Sequence, residues 1–170
     1  MIALSIAPMA HVDATPTLSC RRVRDSRKAD KFVLRTHATI IDALDKVASS
    51  HSRSVNSEII MAVTEALDGN QRARFARQLY VNHLGEARAS LILIEVPHID
   101  LSAMLGGHTT TVRFPDGIRD AIALEAGKTR HSMMNWMLKA LQCWLNDQRD
   151  IHALQNACFA NQRHDSTDAD

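Results

Sequence analysis

Aromatic residues are scarce in this sequence, only 4% of 170 positions, so any core must be aliphatic and Met-rich, drawn from a hydrophobic content of 45%. A charge excess is missing too. Twenty basic residues face 19 acidic ones for a formal net charge of +1, which names no polyanionic partner and leaves only the distribution of charge to be read. Cysteine is limited to Cys20, Cys143 and Cys158, with no CxxC pair. That excludes a disulfide framework and reads as reduced thiols in a cytosolic protein, with Cys143 in the core. No apolar run approaches transmembrane length, and the opening MIALSIAPMA lacks the basic flank of a secretion signal. The expected setting is soluble and cytoplasmic, without a membrane partner. No Walker loop, GxGxxG or nucleophile motif appears, and the nine histidines form no metal-binding spacing with a carboxylate. Neither catalysis, nor a metal or cofactor, nor a small-molecule ligand is indicated.

What is present begins with KFVLRTH, residues 31–37. Lys31, Val33 and Arg35 alternate with Phe32 and Leu34, a period of two that marks a strand with one outward and one inward face. A lone strand leaves its backbone groups unpaired, so this one needs a partner. Helical grammar follows it directly. Ile40, Ile41, Leu44, Val47 and Ala48 form one stripe, and after a break at 51–53 Ser54 caps a second helix carrying Val55, Ile59, Val63 and Leu67. Asp68-Gly69-Asn70 ends it. A strand-helix-helix unit of this size cannot bury its apolar face alone.

The same order recurs. TTTVRFP (109–115) alternates Thr109, Thr111 and Arg113 with Thr110 and Val112. Pro115 and Asp116 open a helix bearing Ile118, Ile122 and Ala126, and a turn at 127–130 leads to a helix with Met133, Trp136, Met137, Ala140, Leu141, Trp144 and Leu145. Arg35 to Glu58 is 23 residues and Arg113 to Asn135 is 22, which suggests a duplication with one residue lost between the helices. The natural partner of the first strand is then the second, antiparallel. Both tryptophans read as core.

These signals divide the chain into a basic N-terminal arm (1–30), a first unit (31–69), a linker (70–107), a second unit (108–147) and a helical extension with a polar tail (148–170). The arm holds Arg21, Arg22 and Arg24, suited to a solvated tail or to phosphate contacts. Within the linker, NQRARFARQLYVNHL suggests a short amphipathic helix and ASLILIEV an apolar strand.

KFVLRTHATIIDALDKVASSHSRSVNSEI resembles the ribbon-helix-helix repressors of the Arc type, with RSVNSEI (53–59) the most telling block. The second copy is similar to the wider superfamily through its T-x-R-F-P entry from strand to helix, but has RHSMMNW in place of that block. The resemblance implies a mainly helical fold with a short β ribbon, two strands pairing antiparallel over four helices, the β-α-α unit being duplicated in one chain. It also implies that the ribbon enters the major groove of double-stranded DNA, where each base pair shows a distinct donor and acceptor pattern.

By position, the base-reading residues would be Lys31, Val33 and Arg35 in the first copy and Thr109, Thr111 and Arg113 in the second. Val33 replaces a polar residue of Arc and can pack on a thymine methyl without hydrogen bonding. Ser54, Val55 and Asn56 fall where the family clamps a phosphate at a helix N-terminus, with His131 and Ser132 in the corresponding place of the second copy. Of the buried Arg–Glu–Arg triad of Arc, a known example of a costly buried ion cluster, Arg53 and Glu58 remain while Ala62 takes the third place. Arg130 and Asn135 are the corresponding pair in the second copy. This predicts an apolar core with Glu58 paired only to Arg53.

The function implied is sequence-specific DNA binding, foremost by a transcriptional repressor. The alternatives are a relaxosome accessory protein resembling the TraY type, an antitoxin whose remaining segments wrap a toxin, or a structural assembly protein. The copies can pair within one chain as a pseudo-dimer or between chains as a homodimer, because a linker of this length reaches about 130 Å when extended.

Overall fold

The computed structural model describes residues 30–165, and the three arginines Arg21, Arg22 and Arg24 named as phosphate contacts lie outside them. The order is strand β1 (Asp30–Thr36), helices α1 (Ala38–Ser50), α2 (Val55–Leu67), α3 (Gln71–Leu84) and α4 (Glu86–Ile94), a 3-10 turn at Leu101–Met104, strand β2 (His108–Phe114), and helices α5 (Ile118–Lys128) and α6 (Met133–Asp165). The protein is thus mainly helical, with β1 and β2 paired antiparallel into a two-stranded ribbon. The strand that lacked a local partner finds one 78 residues along the same chain: Lys31 lies opposite Arg113, Val33 opposite Thr111 and Arg35 opposite Thr109.

Both strands show the same alternation of exposure, so the inward face carries Leu34, Thr36, Val112 and Phe114, all buried. Beneath them, Ile40 and Leu44 of α1, Ile59 and Val63 of α2, Ile122 of α5 and Met137, Leu138, Leu141 and Leu145 of α6 complete one core. Each unit leaves an apolar stripe that only the other covers, which is how two units too small to fold separately share one interior.

The two units match in backbone more closely than their residue types suggest. Arg53 N–H donates to Ala48 O and His131 N–H to Ala126 O, Glu58 N–H to Ser54 O and Trp136 N–H to Ser132 O. Ser52 and Arg130 both take a left-handed backbone, at φ 55° each. Every pair is 78 residues apart. No residue has been lost between the helices: the structural counterpart of Arg53 is His131 and that of Glu58 is Trp136. Matching Arg53 to Arg130 by side-chain type produced the one-residue discrepancy, whereas the turn is fixed by backbone geometry.

The segment between the units is folded. ASLILIEV belongs to a helix, not a strand, because α4 runs through it and buries only Ala89. Its apolar residues fall on more than one face, a pattern that short runs share between strand and helix. The entry to α5 also differs from expectation: Gly117, at φ 81°, occupies the N-cap, so Pro115 and Asp116 precede the helix rather than opening it.

Downstream, α6 continues well past the point at which α2 stops. Four of its side chains pin the connecting segment: Gln142 and Asn146 donate to Ile99 O at 2.9 and 3.2 Å, Arg149 to Pro97 O at 2.6 Å, and Asp150 accepts from His98 at 2.8 Å. The chain then closes on the end of β1, where Thr36 Oγ1 donates to Met104 O at 2.6 Å and His37 N–H to the same oxygen at 3.1 Å. Gly106 permits that approach, since a Cβ there would lie 2.5 Å from His37 Cα.

Candidate nucleic-acid interface

The outward face of the ribbon gathers all six residues singled out in the strands. Lys31, Val33, Arg35, Thr109, Thr111 and Arg113 are exposed, and none of their side chains makes a hydrogen bond or ion pair to another described residue. Their order across the ribbon is unequal. One end pairs two cations, Lys31 with Arg113; the middle pairs Val33 with Thr111; the other end pairs Arg35 with Thr109. Val33 keeps 51% of its surface exposed, an isopropyl group held in water by the alternation of the strand.

Two helix N-termini flank this face. At α2, Ser54 Oγ accepts from Ser57 N–H at 3.2 Å, and at α6 Ser132 Oγ accepts from Asn135 N–H at 3.1 Å. Each cap satisfies one of the first-turn donors and leaves others facing outward with the positive end of the helix dipole. Asn56 is engaged within the protein. Its Oδ1 accepts from Arg113 N–H at 2.9 Å and its Nδ2 approaches Arg113 O at 3.4 Å, so the side chain grips the backbone beneath an outward arginine. Its counterpart 78 residues on is Met134, which cannot grip β1 in return. His131 is also engaged: Nδ1 donates to Thr129 O at 2.6 Å, and Nε2 accepts from Lys139 Nζ at 2.7 Å.

Under the first clamp lies a buried polar cluster. Glu58 is 0% exposed and does not depend on Arg53 alone, contrary to the expectation from sequence. Its Oε1 receives Trp144 Nε1–H at 2.9 Å and contacts His51 Nδ1 at 3.0 Å, while Arg53 Nη1 stands 3.5 Å from Oε2. The indole from the second unit is thus a third partner of Glu58, a cross-unit contact that periodicity alone could not reveal. Trp144 is core as expected, but Trp136 is only partly buried, and Cys143 is exposed rather than in the core. Partial desolvation, and then the charge of Asp147, raise its thiol pKa.

Comparison with known families agrees with this geometry. The model of the Arc-like DNA binding domain matches residues 26–72. Over those residues the chain is similar to that family. The match spans β1, α1 and α2 and stops as α3 begins, so it covers Glu58, His51, Arg53 and the α2 N-terminus but not Trp144 or the rest of the second unit. No curated protein and no solved structure matches the chain. The matched family is one of DNA-binding domains. Among the described residues, no helix is long and apolar enough to cross a membrane.

Proposed function

We propose that this chain binds one non-palindromic site on double-stranded DNA, as a single-chain pseudo-dimer, and acts as a cytoplasmic transcriptional repressor. The observation that carries the reading is the strand register, with unlike residues facing each other across one ribbon inside one chain. A ribbon of two identical strands presents the same residues to both halves of its site, and a palindrome results. Here Lys31 and Arg113 would read one end, where bidentate Arg–guanine contact is the strongest discriminator. Val33 and Thr111 would meet the centre, both able to pack on thymine methyls. Arg35 would read guanine at the far end, with Thr109 beside it.

Phosphates on either side would be held by the N-terminal N–H groups of α2, with Ser54 and Val55, and of α6, with Ser132. Asn56 supports this site by positioning Arg113, and His131 by orienting Lys139 beside the second clamp. Pairing within the chain is supported by the pinned connection at Pro97, Ile99 and Met104, which would hold β2 beside β1 without a second protein molecule. DNA occupied in one orientation only would suit a repressor that must lie at a fixed distance from a promoter.

The test is selection of bound sequences from a random duplex pool with the full chain, with Arg35→Ala and with Arg113→Ala. The expected result is a non-palindromic site in which each substitution relaxes a different end and costs about 1–3 kcal/mol. A palindromic site would overturn pairing within one chain. Absence of any enriched sequence, together with binding that weakens steeply with salt, would replace the repressor with a non-specific architectural binder.

A further inference from the structure

The constant spacing of the two units makes their differences as informative as their likeness. On the first side, the space beside α2 is filled: the Trp144 indole bonds Glu58 and meets the His51 ring edge-on, and Glu58 is also paired with His51 and Arg53. The equivalent place on the second side is an open cleft of about 210 Å³ whose lining includes Ala66, Thr129, His131, Trp136, Lys139 and Cys143. Shifting by 78 residues explains why it is open. Ala66 stands where the first side has Trp144, so an indole's worth of side chain is missing. Trp136 stands where the first side has Glu58, so the carboxylate is missing as well.

The lining names the chemistry of what would fit. It contains an aromatic ring, a small apolar floor and one cation, and no carboxylate. Lys139 Nζ donates to His131 Nε2, whose other nitrogen donates to Thr129 O; the ammonium keeps two further protons to offer. Trp136 Nε1 has no acceptor among the described residues, whereas Trp144 Nε1 has Glu58. Asp147 acts on Cys143 electrostatically, as Lys139 does with the opposite sign, but does not line the cleft. A ligand supplying a flat apolar body and one negative charge would restore on this side both groups that the other side holds permanently.

We propose that this cleft binds a small aromatic carboxylate and that the ligand weakens DNA binding. The ring would occupy the volume that Ala66 leaves, against Trp136, and the carboxylate would take the free protons of Lys139. Because Lys139 is coupled through His131 to the turn that opens α6 at Ser132, an anion there offsets positive charge beside the second phosphate clamp. The effect on DNA rests on the ribbon reading above; binding in the cleft does not.

The experiment titrates the full chain carrying Trp144→Phe, so that Trp136 alone reports, with phenylacetate and with phenethylamine, its cationic analogue of similar shape. Expected is a saturable change in Trp136 emission with phenylacetate, at concentrations on the order of 0.1–1 mM for so small a ligand, and none with phenethylamine. Lys139→Met, at an exposed position that does not threaten folding, should weaken phenylacetate binding roughly tenfold through loss of one charged hydrogen bond. Ala66→Trp should abolish it by filling the cleft. Equal response to both probes, no saturation by about 10 mM, or indifference to Lys139→Met would each overturn the site. With DNA present, phenylacetate should lower affinity several-fold in the wild-type chain and not in Lys139→Met; an unchanged affinity overturns the regulatory half. If the chain binds no DNA without ligand, the ribbon reading fails while the emission result still decides the cleft.

Discussion

The first and second units share a backbone and differ in what they put on it. Capping serines, left-handed turn residues and core positions recur 78 residues apart, yet the first unit buries a charged cluster where the second leaves a cleft. Hydrogen bonds of turns and caps can be made by many side chains, so they persist while residue types drift. A buried carboxylate cannot drift alone, because each partner it loses leaves a polar atom without compensation. The asymmetry between the units therefore concentrates at Glu58 and at Trp136, its counterpart.

Replacing each tryptophan by alanine should break the comparison most visibly. Trp144→Ala removes a buried ring and a donor to Glu58 and should cost about 3–5 kcal/mol. Trp136→Ala, at the cleft and partly exposed, should cost under about 2 kcal/mol. Chemical denaturation of both variants reads the difference. Trp144→Phe separates packing from hydrogen bonding, with an expected loss of about 1–2 kcal/mol for the bond that the buried carboxylate loses. Equal losses for the two alanine variants would mean that the cluster around Glu58 contributes nothing beyond volume.

The next effect concerns what joins the units. Gly106→Ala sets a methyl group 2.5 Å from His37 Cα, backbone against backbone, and should cost about 1–3 kcal/mol by displacing the connection from β1. Because this connection supports pairing inside one chain, the variant should also gain a concentration-dependent dimer in sedimentation, formed when two chains exchange strands. Loss of stability without any dimer would assign the connection a packing role alone.

How far the sequence carried this picture follows from the range of each signal. The strands, the alternating faces, the four helices of the two units and the cap at Ser54 were legible because each is a local pattern of two to seven residues. The antiparallel partner of β1 was legible through repetition. Three features were not. The bond from Trp144 to Glu58 joins residues 86 positions apart; the grip of Asn56 on Arg113 joins residues 57 apart; neither leaves a periodic trace. ASLILIEV misled because a short apolar run without strict alternation suits strand and helix alike. The clamp residues rest on resemblance alone, which says nothing of the bond between the Asn56 side chain and the strand.

That grip gives a smaller prediction. Asn56→Ala should lower stability by about 1 kcal/mol and weaken DNA binding chiefly at the base pairs assigned to Arg113, leaving those of Arg35 unchanged in a selected-site comparison. Met134→Asn, the same position on the other unit, sharpens the point. If it can hold Arg35 as Asn56 holds Arg113, preference at the Arg35 end should rise. An Asn56→Ala variant that relaxes both ends equally would show that Asn56 stabilises the ribbon as a whole.

The smallest effect lies where the units part. Gly69, at φ 74°, ends α2, and its counterpart Asp147 continues α6. Burial, then the neighbouring Asp150, raises the pKa of Asp147, against the opposing pull of Arg77. A carboxyl raised on folding is most stabilising when protonated: its contribution is intact below the ordinary carboxylate value and is lost as pH climbs through the raised one. Asp147→Asn should therefore raise Tm at pH 7, and the gain should vanish as pH falls through the carboxylate range. Asp150, one turn further and buried, is partnered by His98 at 2.8 Å and Arg77 at 3.7 Å. Asp150→Asn should lower Tm at pH 7. Two acids three residues apart would then respond with opposite signs to the same substitution, and matching signs would show that the helical extension tolerates charge there without regard to partners.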